Sequence, residues 1–276
     1  MELEPGIICL TIGREPFTGF PPPNAYVLVG SDQALVVDAG WDDPADHNQR
    51  MAALAAQVHV PLAAVLITHR HPDHGGGALA LAQATGAPTW AHSKERAHIE
   101  RDRFRGAALV DRDVSEGQRI SLGGLTATVI EAPGHTSGCL AVWVEERRAL
   151  LTTDTVMGVS TTVIKPEDGS LADYARTLDR FATLEARVFY TGHGSPVNDP
   201  AGRLRALSEH RQKREADLLG ALAAGPQTVP QLRARIYAGL PQIRESLAEA
   251  QITTGLRKLL DEGAARPEAE GRYSLA

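Results

Sequence analysis

Directly after an apolar run, Ala64–Ile67, the chain reads Thr68-His69-Arg70-His71-Pro72-Asp73-His74-Gly75-Gly76. Three histidines and an aspartate fall within six residues. Groups of this kind cannot be scattered through an apolar core, because each buried polar group needs a partner. A surface loop with coincidental histidines is the plain alternative; four potential ligands this dense favour a site where they converge. Imidazole nitrogen and carboxylate oxygen are both zinc ligands, with bonds near ~2.0–2.2 Å, so a metal is the natural common partner.

Other polar candidates stand in the same relation to apolar runs. His135 follows Leu125–Glu131 within Pro133-Gly134-His135-Thr136-Ser137-Gly138, and Asp154 follows Ala149–Thr152. His193 follows Val188–Tyr190 within Thr191-Gly192-His193-Gly194, and Asp38 ends Ala34–Val37. One edge of a sheet layer could gather them all, and the adjacent glycines let the backbone turn sharply there. Taken singly, His135 or His193 reads as a structural histidine and Asp154 as a helix cap. Taken together they read as ligands. His47, His59 and His210 lie outside these motifs, and His92 and His98 fall in a loop flanking the cleft. Their default is structural or solvent-exposed.

The remaining pattern sets the fold class. Strands are expected at Ala25–Val29, Ala34–Val37, Ala64–Thr68, Leu125–Glu131, Leu140–Val144, Ala149–Thr152 and Val188–Tyr190. Apolar residues recur at three- and four-residue spacing in Pro44–Gln57, Gly76–Thr85 and Leu171–Thr183, the mark of helices. Strands mixed with helices in this way predict an α/β (α+β) layered domain. After Pro200 the texture changes. Helices are expected at Leu204–Leu219, Val229–Ile236, Ile243–Ala250 and Thr253–Leu260, then a two-stranded ribbon over Arg266–Leu275. The last three helices followed by a hairpin describe a winged-helix pattern; a helical cap without a recognition role is the favoured reading.

Composition narrows the function. Hydrophobic residues make up 43% and charged residues 22%, which is ordinary for a globular chain. No apolar run approaches the ~18 residues of a membrane span. The start, Met1-Glu2-Leu3-Glu4-Pro5, is acidic and the apolar stretch from Ile7 to Ile12 is short, unlike a signal peptide. Cys9 and Cys139 cannot form a disulfide framework, so a reducing cytoplasm is the expected location. The net charge of −6 argues against a surface given wholly to nucleic acid. Residues 201–276 hold 12 basic against 9 acidic side chains, which leaves room for a weaker polyanion contact.

The order His69-x-His71-x-Asp73-His74, then His135, Asp154 and His193, resembles the metallo-β-lactamase superfamily across residues 1–200. The resemblance implies an αββα sandwich with a dinuclear site at one edge of its facing sheets. By the same resemblance His69, His71 and His135 hold one metal, Asp73, His74 and His193 the second, and Asp154 bridges them. Asp38 would orient the ligands, as carboxylates behind metal-bound imidazoles do. Zinc, two ions per chain, is the expected cofactor, and histidine with carboxylate also suits manganese or iron. Cys139, four residues after His135, is a thiolate candidate; a buried, inert thiol is the favoured reading.

Paired metals about 3.5–4 Å apart generate hydroxide at neutral pH and stabilise charge on a substrate oxygen. The expected function is therefore hydrolysis of an ester-like bond by a metal-bridging hydroxide, with Asp73 as the catalytic carboxylate that orients it. Within the superfamily the chain is similar to the β-lactamase-like protein 2 family. The similarity rests on Thr68–Gly76, His210-Arg211 with Arg214, Val229–Tyr237, Leu256–Leu260 and Asp261-Glu262-Gly263. It implies a catalytic domain at residues 1–205 and a winged-helix-like domain at 206–276. That family includes a single-stranded RNA endonuclease, and its relatives release polyketides by thioester hydrolysis. RNA phosphodiester cleavage is placed first, with thioester, carboxyl-ester or lactone hydrolysis as the alternative. A metal-stabilised nucleic-acid-binding protein is the non-enzymatic alternative. Lys94, Arg96, Arg101, Arg103 and Arg105 could hold an RNA backbone, but Glu95, Glu100 and Asp102 interleave them as on a solvated helix face. The tail is assigned to homodimerisation or substrate enclosure ahead of sequence-specific DNA binding, and no membrane partner is expected. Arg70 departs from the histidine that glyoxalase II enzymes carry at its place.

Overall fold

The computed structural model describes residues 1–17, 19–103, 109–239 and 245–276. They form two compact units. The first comprises Met1–Ala132, Gly138–Ser160 and Glu185–Pro200, and the second Pro133–Ser137, Thr161–Leu184 and Ala201–Ala276.

The first unit holds two sheets. A seven-stranded sheet runs in chain order through β1 (Glu2–Glu4), β2 (Ile7–Thr11), β3 (Asn24–Val29), β4 (Ala34–Val37), β5 (Leu62–Ile67), β6 (Thr89–Ala91) and β7 (Arg112–Asp113). Its first four strands pair antiparallel and the rest parallel. The second sheet holds β8 (Arg119–Ser121), β9 (Thr126–Glu131), β10 (Leu140–Val144), β11 (Ala149–Thr153) and β12 (Val188–Thr191), in the order β12-β11-β10-β9-β8. Side chains alternate between the faces of a strand, and the core divides accordingly. Leu35, Val37 and Leu66 join Val129, Val142, Leu151 and Tyr190 in one buried cluster between the sheets. Val36, Val65 and Ile67 point the other way, into a second cluster with Leu54 and Leu81. Those two leucines belong to α1 (Pro44–Gln57) and α3 (Ala78–Thr85), the helices covering the outer face. Strands buried on both faces read as unbroken apolar runs, which is why Ala34–Val37 was legible.

Local signals set the helix ends. Asp43 caps α1, its Oδ1 accepting from Ala45 N at 2.8 Å, with Pro44 opening the helix. A single turn, α2 (Pro72–Gly75), follows β5, and Gly86 at φ 71° closes α3. The segment expected to be a loop around His92 and His98 contains a helix, α4 (Ser93–His98). His92 caps it by accepting from Lys94 N, and His98 is its last residue. Strands β1, β2, β6, β7 and β8 were not anticipated. Most are three residues or fewer, too short to show alternation, and β2 is an apolar stretch whose partners on both sides fix it as a strand.

The second unit contains α5 (Leu171–Thr183), α6 (Pro200–Leu222), α7 (Val229–Ile236) and α8 (Glu245–Asp261). Ser170 caps α5, and Thr228 with Gln231 forms a reciprocal capping box on α7. A small sheet joins β13 (Gln227–Thr228), β15 (Arg272–Leu275) and β14 (Ala265–Glu268) in that order. Leu218, Leu222, Leu232, Ile252, Leu256 and Leu259 form its core. The pieces expected at Ile243–Ala250 and Thr253–Leu260 are one helix from Glu245; Ile243 and Arg244 lie outside the described residues. Thr253 and Thr254 donate their hydroxyls to the carbonyls of Glu249 and Ala250, four residues back. Among the described residues, no helix is long and apolar enough to cross a membrane.

Candidate metal centre

β4 and β5 run side by side in parallel, so the residues just beyond their ends meet. Asp38 has φ 63°, a left-handed conformation rare outside glycine, and is almost wholly buried. Its carboxylate accepts from Thr68 N at 2.8 Å, Thr68 Oγ1 at 2.9 Å and His74 Nδ1 at 2.8 Å. Its oxygens are committed to protein donors, so Asp38 orients its neighbours, the role the resemblance implied. The Thr68 hydroxyl donates to Asp38 and therefore accepts from His69 Nδ1 at 3.1 Å, leaving the lone pair of His69 on Nε2.

The same reasoning fixes His74 and His193. His74 Nδ1–H donates to Asp38, and His193 Nδ1–H donates to the carbonyl of Pro21 at 2.9 Å, since a carbonyl can only accept. Both rings then present a lone pair at Nε2. These two nitrogens lie 3.3 Å apart. Asp154 Oδ1 lies 3.3 Å from His74 Nε2 and 3.7 Å from His193 Nε2, and Asp73 Oδ2 lies 3.4 Å from His193 Nε2. All four residues are buried. With both rings neutral, two lone pairs and two carboxylates would face each other away from water, a repulsion that protonation of the rings or a bound metal cation relieves. One ligand atom from each of Asp73, His74 and His193 lies within 4.8 Å of the others. The donor set fits a divalent metal.

The electrostatics carry the same sign. Burial opposes charge on His74, yet the carboxylates of Asp154 and Asp38 outweigh it and push its pKa well above the ordinary histidine range. His193 is also raised: burial works against its charge, and Asp154 and Asp73 prevail. Burial would raise the Asp73 carboxyl, but the hydrogen bond from His193 and the charge of His74 hold it below the usual range. Packing holds the geometry. Phe20 sets its ring edge-on to His193 at 4.9 Å, and a Cβ on Gly192 would fall 2.1 Å from Asp154 Oδ1, so only glycine fits there.

His71 caps α2, half-buried, with its ring 4.9 Å from that of His69. His135 lies in the turn 133–137 of the second unit, where its Nδ1 donates to the carbonyl of Val163 at 2.9 Å, so that Nε2 again carries the lone pair. Gly134, before it, has φ 141° and passes so close to Tyr174 that a Cβ would meet that backbone at 2.5 Å. Cys139 is fully buried beside Thr155 Oγ1 at 3.6 Å, and burial pushes its thiol up to about 12, the inert state expected.

One residue pair escaped the sequence reading. Arg70 turns inward, and Glu95 of α4 accepts from its backbone N at 2.9 Å, its Nε at 2.7 Å and its Nη2 at 2.9 Å. The same carboxylate accepts from Gly138 N at 2.8 Å. It thus ties the loop bearing His69 and His71 to the start of β10. Glu95 looked like one charge on a solvated face; its own spacing from Arg70 carried no local signal.

This arrangement of facing sheets and buried histidines with aspartates agrees with comparisons to known proteins. The family model "Metallo-beta-lactamase superfamily" matches residues 18–193, and the chain belongs to that superfamily as a metal-dependent hydrolase. It is 27% identical over 90% of its length to a "Beta-lactamase-like protein 2 homolog" of Caenorhabditis elegans, covering 81% of that protein. It is 29% identical over 79% of its length to an "Atrochrysone carboxyl ACP thioesterase" of Aspergillus fumigatus, covering 69% of it. Among solved structures, a metallo-beta-lactamase family protein from Thermus thermophilus superposes with a TM-score of 0.82 at 25% identity, over 99% of this chain and 100% of that one. A beta-lactamase domain protein from Burkholderia ambifaria gives a TM-score of 0.86 at 23% identity, over 100% and 93%.

Proposed function

We propose that this hydrolase cleaves an acyl thioester or related carboxyl ester, using two divalent cations, zinc first among them. His69, His71 and His135 would hold one, and Asp73, His74 and His193 the other, with Asp154 as a ligand available to both. The observation that carries the reading is the facing pair of Nε2 lone pairs on His74 and His193, closed in by two carboxylates. Cations bound there would supply hydroxide at neutral pH and neutralise charge developing on the substrate oxygen. The chain's own part is orientation. Asp38 fixes His74 and, through Thr68, His69, while Asp73 would serve both to hold a cation and to orient water.

Relatives named as thioesterases favour the acyl substrate. A thiolate leaving group, whose conjugate acid has a pKa near ~8.5, departs without the general acid an alkoxide requires. Single-stranded RNA, placed first from sequence, becomes the second candidate. Arg96, one of the side chains assigned to its backbone, bonds instead to Asp113 at 3.1 Å, to Glu100 and to the Val110 carbonyl. Arg101 bonds to His98, and Arg105 lies outside the described residues. Residues 1–205 form the catalytic part in this reading, and 206–276 a winged-helix-like tail serving enclosure or dimerisation, in the cytoplasm.

The test is metal-loaded protein assayed on acyl thioesters, lactones, a β-lactam and single-stranded RNA, with His69→Ala and His71→Ala as controls. Thioester turnover lost in both variants supports the proposal. RNA cleavage lost in both, without thioester turnover, reverses the order of the candidates. Inertness on every substrate with two metals bound per chain rejects both.

A further inference from the structure

The second unit holds a partly open cavity of about 310 Å³ among α5, α6, α7 and α8. Small-molecule sites span about 300–1,000 Å³, and this one sits at the lower end. At ~30 Å³ for each water-sized group, it takes roughly ten such groups. Leu178, Leu218 and Ile252, each nearly fully buried, supply its apolar wall. Gly255 stands in the same wall, inside α8, where a helix disfavours glycine. A Cβ there would touch Leu218 at 3.1 Å, so the missing side chain keeps space open between α8 and α6.

The polar groups are unevenly compensated. Arg211 and Arg214, one turn apart on α6, lie over Tyr174 at 5.1 Å and Tyr237 at 4.7 Å, and all four residues line the cavity. The Nε atoms of both arginines are buried and donate no hydrogen bond among the described residues. Lys258 is held by Glu215 at 2.7 Å and Glu262 at 2.9 Å, and Arg214 reaches Asp217 at 3.3 Å. Among the described residues, Arg211 donates only to neutral acceptors, Gln251 Oε1 and the Thr162 carbonyl. The remaining acid on the wall, Asp179, is solvent-exposed. His210 registers the positive field: burial, then Arg211, Arg214 and Arg203, hold its pKa below the ordinary range.

We propose that this cavity binds a small amphiphilic monoanion, a medium-chain carboxylate whose head pairs with Arg211 and whose tail lies along Leu178, Leu218 and Ile252. An ion pair supplies the charge that Arg211 lacks, and a flexible chain of about eight carbons matches the space. The inference does not depend on the metal chemistry.

Octanoate is the probe, titrated calorimetrically into the full chain. One saturable site per chain is expected. Octan-1-ol should bind at least tenfold more weakly and octyltrimethylammonium not at all. Arg211→Gln should weaken octanoate at least tenfold, and Gly255→Leu, which fills the cavity, should abolish binding with helix content unchanged. Should Gly255→Leu fail to fold, the wild-type chain still decides: NMR cross-peaks must connect octanoate methylenes to the Tyr174 or Tyr237 rings. Absence of saturable binding, equal binding of the alcohol, full affinity in Arg211→Gln, or cross-peaks only elsewhere would overturn the proposal.

Discussion

Arg70 and Glu95 form a two-pronged ion pair, Nε to Oε2 at 2.7 Å and Nη2 to Oε1 at 2.9 Å, with the Glu95 side chain wholly out of water. Removing one partner of a buried pair strands the other charge, at about 3–5 kcal/mol. Glu95→Ala should therefore destabilise the fold by that order, and Arg70→Met/Glu95→Leu by less than the sum of its single changes. Urea unfolding of the wild type, the three single variants and the double variant checks this. Burial alone would raise the Glu95 carboxyl; the hydrogen bonds and charge of Arg70, with the Gly138 amide, hold it below the usual range. A depressed folded pKa gives stability that is present above the unfolded pKa, about 4.3, and is lost as pH falls through the folded value. The wild type should thus lose stability on acidification more steeply than the double variant.

Proton and metal compete for the His74–His193 pair. Both pKa values are raised in the folded chain, so protonation stabilises the metal-free protein below the unfolded histidine value of about 6.5. That contribution disappears as pH rises through the folded values. Melting temperature after chelation should fall as pH rises above the unfolded histidine value, and added zinc should remove most of the fall. A chelated protein equally stable across that rise contradicts this.

Asp38→Asn keeps the left-handed backbone, which asparagine tolerates, but weakens the acceptor shared by Thr68 and His74. Outer partners of metal-bound histidines are worth about 10–100-fold in metal affinity. Competition with a chromogenic chelator should show a loss in that range, with the circular dichroism spectrum unchanged.

Gly192→Ala drives a methyl into Asp154 Oδ1. Overpacking of this kind costs about 1–3 kcal/mol. The displaced carboxylate should also lower metal content below two per chain, read by elemental analysis after reconstitution. Undiminished content and full thermal stability would show that Asp154 can move aside at no cost.

Cys139, with its thiol pushed up to about 12, should resist iodoacetamide at neutral pH until the chain is unfolded. Cys139→Ser should retain its metal. Mass spectrometry of native and denatured samples decides the first point, and metal analysis the second.

What the sequence disclosed follows physical scale. His69, Asp73, Asp154 and His193 were legible because each stands just past an apolar run long enough to read as a strand. Leu171–Thr183 was legible to the residue, since its apolar spacing and the cap Ser170 agree. Strands of two or three residues, such as β7, leave no periodicity to detect. The Arg70–Glu95 pair joins positions 25 apart in the chain, and nothing local distinguishes such a pair from solvated charges. The two helical pieces expected on either side of Gln251 and Ile252 are one helix, α8, whose buried Ala248, Ile252, Leu256 and Leu259 keep one apolar face across the supposed gap.

In the second unit, successive carbonyls along one short strap are taken in turn. Arg211 donates to Thr162, His135 to Val163, Gln251 to Ile164, and Arg257 to Pro166. The peptide that sets the tilt of the His135 ring is thus pegged on either side by side chains of α6 and α8. A tail grafted from a relative with α8 turned by a single residue would reach the strap with the wrong pegs, and the imidazole would swing with it. Tail and His135 must be inherited together, because between them lies a latch and not a hinge.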